Sequence, residues 1–236
     1  MMQFEAIFGI GKNELKKNCI LLPLLNKDIL SAFKITKFTR GKLYGIVQKD
    51  CFTLIHTGLG APLTADAVLY LKDTPCRNVF LFGSCGLVRE QEGLSLASLV
   101  AASKSYSYES FSEMLLGNNA QPKVFVPDSG LLNNFLAVAG KGMVREATCA
   151  TLGSLKLEEG MVSLFIEKGI DIVDMESSAF FSACAYTQAK AAALFYATDI
   201  INKSPFYMKR DAALRSKLSA AIKNAAVLLC EFLKKN

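Results

Sequence analysis

Two carboxylates, Asp174 and Glu176, interrupt an apolar run in the stretch IVDMESSAFF, residues 172–181. Ile172 and Val173 read as the end of a buried strand, and Ser177 onward reads as helix. Both acids therefore stand at a strand-to-helix junction. An ionised carboxylate there is costly unless it is hydrogen-bonded. A vicinal diol is a natural partner, because one carboxylate can accept from two hydroxyls. On spacing alone the pair reads equally well as two acids complementing a helix N-terminus.

Four other junctions carry comparable residues. In ALFYATDIIN, 193–202, a long apolar strand ends at Thr198 and Asp199. Asp199 can serve as a general acid if its surroundings raise its pKa, or simply as a cap or turn residue. In VFLFGSCGLV, 79–88, the glycines bring backbone close to a ligand and the Ser84 hydroxyl can hold a phosphate or a water. Cys85 reads as a small inert residue, because nothing basic nearby would lower its pKa. In IHTGLGAPLTADAV, 55–68, Gly58 and Gly60 allow tight backbone before a helix start whose N–H groups suit a polar ligand. The spacing is not that of a P-loop and the lysine is missing. His56, the single histidine, reads as structural. In FGIGKNEL, 8–15, Gly9 and Gly11 precede Glu14, which by itself only complements a helix dipole.

Strands must deliver these residues, and helices must follow them. Apolar, β-branched and aromatic runs predict strands over 5–9, 43–48, 52–56, 78–83, 96–101, 123–126, 170–173 and 191–197. Helical patterns cover 62–72, 131–138, 161–168 and 175–187, the last apolar almost all round and so expected to be buried. The segment 208–234 has one apolar stripe through Leu214, Leu218, Ile222, Ala225, Leu229 and Phe232. Alternating strands and helices predict an α/β fold: a three-layer α/β/α sandwich with a central mixed, largely parallel sheet. No linker or repeat divides the 236 residues, so residues 1–236 are expected to form a single domain.

Composition excludes several classes. The net charge of +6, from 27 basic and 21 acidic residues, is dispersed and shows no basic stripe with interleaved aromatics, which argues against nucleic acid. Seven cysteines with no CxxC pattern read as reduced thiols of a cytoplasmic protein. One histidine without cysteine pairs argues against zinc. CILLPLL is too short to cross a membrane and carries a proline, and the N-terminus lacks a signal-peptide pattern.

Together the five junctions resemble the nucleoside phosphorylase and nucleosidase superfamily, which includes uridine and purine nucleoside phosphorylases and methylthioadenosine/S-adenosylhomocysteine nucleosidase. TGLGAPLTADAVLYL looks like its TGxGxPxxxxAxxxL element, FGSCGLV like its glycine turn, and VDMESSAF like its VEMExxA ribose element. Thr198-Asp199 stands where the family usually has Ser-Asp. The resemblance implies that Met175 and Glu176 hold the ribose, with Glu176 accepting from its 2′ and 3′ hydroxyls. Asp199 would protonate or hydrogen-bond N7 of a purine leaving group. Ser84 and the backbone from Gly58 to Gly60 would line the nucleophile pocket, and Glu14 would activate water. No cofactor or metal is implied, and at least a homodimer is.

Phosphorylases of the family usually carry GDPxR near the N-terminus and an arginine three residues before the Ser/Thr of the glycine turn. Here those places hold GIGKNEL and Leu81. Without these cations a phosphate dianion is poorly held, unless Arg40, Arg77 or Arg89 substitutes. The expected activity is therefore N-ribosyl hydrolysis of a purine nucleoside with a 5′ substituent. The nucleosidase SGDxF segment is replaced by REATCATLGSLKLEE, 145–159, which lacks its Asp and Phe. That makes a futalosine-type substrate, from the menaquinone pathway, as plausible as a methylthioadenosine type. A phosphate-dependent phosphorylase and a non-catalytic nucleoside-binding relative are the alternatives.

Overall fold

The computed structural model describes residues 2–110 and 122–235. Among these residues ten strands join in one sheet: β1 Asn18–Leu22, β2 Thr39–Arg40, β3 Gly45–Gln48, β4 Thr53–His56, β5 Asn78–Leu87, β6 Leu99–Tyr108, β7 Val124–Phe125, β8 Arg145–Leu152, β9 Ile172–Asp174 and β10 Lys190–Ile200. The helices are α1 Met2–Phe8, α2 Lys27–Ala32, α3 Ala61–Tyr70, α4 Ser129–Ala139, α5 Val162–Glu167, α6 Ser177–Thr187 and α7 Ala212–Lys235.

The strand order is β10-β6-β8-β9-β5-β1-β4-β3-β2, with β7 on β6 and a second pairing of β10 with β5. That second pairing closes β5, β10, β6, β8 and β9 into a ring, from which β1, β4, β3 and β2 extend as an open wing. The long ladders, β5 with β10 and β6 with β8, are parallel, and the short β5–β9 and β6–β10 ladders are antiparallel.

Period-two alternation places the central strands between two apolar layers. Cys19, Leu21, Val79, Leu81, Ala193 and Phe195 face a cluster that includes Phe8 of α1, Val68 of α3 and Phe180 of α6. Ile20, Leu22, Phe80, Phe82, Ala192 and Leu194 face the other side, against Ile29 of α2, Phe135 of α4 and Leu229 of α7. There Phe80, Phe135 and Phe232 meet edge-on at 5.5–5.6 Å between ring centroids. Fully burying such a side chain contributes about 1.5–3 kcal/mol. The expected three-layer α/β/α sandwich with a mixed, largely parallel sheet is the fold observed.

Three segments depart from the sequence reading. Residues 5–9, expected as a strand, lie in and just after helix α1. Phe4 and Phe8 are four residues apart, the helical spacing, and stack at 4.3 Å with Phe8 also against Tyr44. The first strand of the sheet is instead β1, all five of whose residues are buried. It overlaps CILLPLL, the segment weighed above only as a membrane span. Strand β8 also escaped, because Ala147, Cys149 and Ala150 are small and give a weak apolar signal.

Candidate active site

Strands β5, β9 and β10 deliver their carboxyl ends to a cavity of about 390 Å³. Its lining includes Ser84, Met175, Glu176 and Asp199, four of the residues singled out from sequence, together with Asp28, Glu158, Tyr196 and Arg210. Leu24, Leu59, Leu155 and Phe206 are exposed apolar residues on the same lining.

Asp199 owes its position to an irregularity in β10. The β5–β10 register pairs Ala197 with Cys85 and then Asp199 with Gly86, so Thr198 is the extra residue of a bulge. Bulges re-aim side chains. The Thr198 hydroxyl lies 2.5 Å from Asp199 Oδ1 and donates to it. A Cβ on residue 86 would stand 3.0 Å from Asp199 Oδ2, so glycine there keeps room for the carboxylate. Burial raises the Asp199 pKa, against the opposing pulls of the Thr198 hydrogen bond and the Arg210 charge. A carboxyl whose pKa is raised in this way suits a general acid.

The two acids of the β9–α6 junction have different tasks. Asp174 is buried and fully engaged. Its Oδ1 accepts from Thr151 Oγ1 at 2.7 Å and from Ser177 Oγ at 3.0 Å, and its Oδ2 accepts from the Ser177 N–H at 2.7 Å. It therefore ties β8 and β9 to the first turn of α6. Glu176 is 5% exposed and lines the cavity. Its Oε1 accepts from the Gly60 N–H at 2.7 Å, which reaches in from the start of α3. Gly60 has φ +104°, a backbone conformation that side chains rarely adopt. Burial, and then the charge of Asp174, push the Glu176 carboxyl up to about 7.

Gly58 lies outside the lining, on the loop just before Leu59, and its carbonyl accepts from Thr57 Oγ1 at 3.0 Å. Glu14 also lies outside it. The residue is exposed in the 3₁₀ turn Lys12–Glu14, where its Oε1 accepts from the Gly11 N–H at 2.6 Å. The reason is the shifted first strand: the glycines at 9 and 11 follow a helix, not the strand that feeds the cavity. The arginines weighed as substitutes stand elsewhere too. Arg77 donates to the Thr74 and Cys76 carbonyls at 2.6 and 2.7 Å, Arg40 lies over Phe38, and Arg89 is exposed. None of the three lines the cavity.

Strand β1 brings residues that sequence reasoning passed over. Asn26 caps α2, accepting from the Ile29 N–H at 2.8 Å, and its amide donates to the Tyr196 hydroxyl at 3.4 Å. Asp28, in the first turn of α2, accepts from Ser219 Oγ of α7 at 2.8 Å. The signal was available: Asn-Lys-Asp follows a short apolar run, the same strand-exit pattern as the other junctions. Glu158, 5% exposed, sits in the 3₁₀ turn Leu157–Gly160, and its carboxyl is pushed up to about 7 by burial first and the Asp199 charge second. Cys85, fully buried, has its thiol pKa raised by burial, as suits an inert thiol.

These raised carboxyls make a stability prediction. Glu158 and Glu176 bind their protons more tightly when folded than when unfolded. Their contribution is fully present below the ordinary carboxylate range and is lost as pH rises through about 7. Between pH 5 and pH 8 the loss from Glu176 is on the order of 2–3 kcal/mol. Thermal unfolding should show a midpoint lower at pH 8 than at pH 5 by roughly 5–10 °C. Glu176→Gln should flatten that dependence, and an unchanged slope would contradict the assignment.

No helix among the described residues is long and apolar enough to cross a membrane. No curated protein matches the sequence. The fold is similar to that of 5′-methylthioadenosine/S-adenosyl homocysteine nucleosidase from Campylobacter jejuni, at 15% identity over 94% of this chain and 100% of that one, with a TM-score of 0.72. It is similar also to uridine phosphorylase from Vibrio fischeri, at 18% identity over 96% and 95%, TM-score 0.74. Futalosine hydrolase from Helicobacter pylori matches at 13% identity over 94% and 99%, TM-score 0.69. At these identities the likeness is one of fold. The family model of the Phosphorylase superfamily matches residues 12–234, and this chain belongs to that superfamily.

Proposed function

We propose that this protein hydrolyses the N-glycosidic bond of a purine nucleoside bearing a 5′ substituent, with water as the nucleophile. The observation that carries the reading is the make-up of the cavity lining, rich in carboxyl groups and poor in cations. Asp28, Glu158, Asp174, Glu176 and Asp199 are acidic, and Arg210 is the one Lys or Arg on the lining among the described residues. Carboxylate oxygens suit a developing ribosyl cation, and a single cation holds a phosphate dianion poorly.

In this scheme Glu176 and Met175 grip the ribose. Diol hydroxyls donating to Glu176 favour its ionised form and offset the burial that raises its pKa. Asp199 donates its proton to N7 of the leaving base. Asp28, in the place first expected for Glu14, accepts a proton from the attacking water. The C1′–N bond breaks, a C1′–O bond forms, and the base leaves carrying the proton from Asp199. Ser84 lines the cavity as a hydrogen-bonding group, and the apolar side chains of Leu24, Leu59, Leu155 and Phe206 suit a 5′ substituent of the methylthioadenosine or futalosine kind.

The test is product analysis with inosine, methylthioadenosine, S-adenosylhomocysteine and futalosine, each with and without phosphate. Release of base and free sugar at a rate independent of phosphate is expected. Strictly phosphate-dependent release of a sugar 1-phosphate would overturn hydrolysis. That phosphorolytic outcome is the second reading, and Arg210 is the residue that favours it.

A further inference from the structure

Glu158 has no part in the chemistry just described, yet it lines the same cavity. Its Oε2 is buried and has no hydrogen-bond partner among the described residues. The other such atom, the Tyr108 hydroxyl, belongs to a residue outside the cavity lining. Leaving a buried polar atom unpaired costs roughly 1–3 kcal/mol, so an unpaired oxygen on a cavity residue calls for a partner, and a bound ligand can supply one. Nearby cations do not neutralise it: Lys156 pairs instead with Glu159 at 2.6 Å. The turn is fixed from two sides, by the Met161 N–H donating to the Glu158 carbonyl at 2.9 Å and by Asn202 Nδ2 donating to the Glu159 carbonyl at 2.8 Å. Asn202 lies two residues past the end of strand β10, which carries Asp199, and Glu158 lies close enough to Asp199 for their charges to interact.

We propose that Glu158, as a neutral carboxylic acid, reads the edge of the purine formed by position 1 and the group on position 6. This rests on the hydrolase reading above, in which Asp199 serves N7 of the same base. A protonated carboxyl presents one donor and one acceptor side by side. Adenine offers an acceptor at N1 and a donor on its 6-amino group, and hypoxanthine offers a donor at N1–H and an acceptor at O6. Either closes a cyclic pair of hydrogen bonds with the acid. An ionised carboxylate would face a lone pair in each case. Burial raises the Glu158 carboxyl to about 7, so the protonated form is available to pair with the base. Donation to the base also draws electron density from it, which assists its departure. Glu158 thus acts as a specificity residue that selects purines substituted at position 6 with a hydrogen-bonding group.

The test is calorimetric binding of three free bases, adenine, hypoxanthine and unsubstituted purine, to the wild-type protein, Glu158→Ala and Glu158→Gln. The wild type should prefer adenine and hypoxanthine over purine by about ten-fold or more. Glu158→Ala should bind all three alike. Glu158→Gln, also neutral with one donor edge and one acceptor edge, should restore the preference. Because the carboxyl removed has an unpaired buried oxygen, Glu158→Ala should melt no lower than wild type. A preference that survives in Glu158→Ala, or one lost equally in Glu158→Gln, overturns the proposal. The two readings fail separately: base release by the wild type with no preference among the three bases sinks the role of Glu158 alone, whereas absence of base release and of base binding sinks both.

Discussion

Asp199→Asn is expected to fold normally and to lose about 10²- to 10⁴-fold of turnover, the range usual for a general acid. The substitution is close to isosteric. Its amide oxygen can still accept from the Thr198 hydroxyl, and Gly86 leaves the same room beside it. What asparagine cannot do is give up a proton to a leaving base. Binding should therefore be largely kept while kcat falls. The wild-type rate should also decline on the alkaline side as Asp199 ionises, since burial has moved that event upward. In the variant this limb should vanish. Base release followed across pH, with an unfolding curve to confirm the fold, makes the check. Near-normal turnover in Asp199→Asn would remove the residue from the mechanism.

Glu176→Gln should raise KM and lower kcat together, with a combined loss of about 10²-fold or more in kcat/KM. Hydrogen bonds to a charged acceptor contribute roughly 1.5–3 kcal/mol each, and a diol makes two. A neutral amide offers one acceptor where the carboxylate offers two, and its NH₂ group would face either the diol or the Gly60 N–H. The contact with Gly60 at 2.7 Å also means that Glu176 orders the start of α3. A 2′,3′-dideoxy substrate separates the two effects. It lacks the hydroxyls, so its cleavage should be insensitive to the substitution if Glu176 serves the sugar. An equal loss on the dideoxy compound would assign Glu176 to holding the Gly60 loop.

Much of this site was legible in the chain. Local patterns mark where strands end and helices begin: Met175 and Glu176 stand at such a boundary, and Ser84 and Asp199 lie near the carboxyl ends of β5 and β10. The continuous apolar runs of 78–83 and 191–197 and the long stripe of 208–234 point to a layered α/β fold, because burial of one face or two depends on side chains within a few residues of each other.

The tertiary structure decided the rest. Asp174 and Glu176 both line the cavity, yet contacts with Thr151 and Ser177 occupy both oxygens of the first, while Glu176 accepts at Oε1 from the Gly60 N–H. The bulge at Thr198 that aims Asp199 depends on the register of β10 against β5, two strands more than a hundred residues apart. The exchange of Glu14 for Asp28 has the same origin. Both follow short apolar stretches, but only β1 has neighbours on both sides, β4 and β5, to make it a central strand. Glu158 gave no local signal at all, because an unpaired carboxyl is recognisable only after every other group has found its partner.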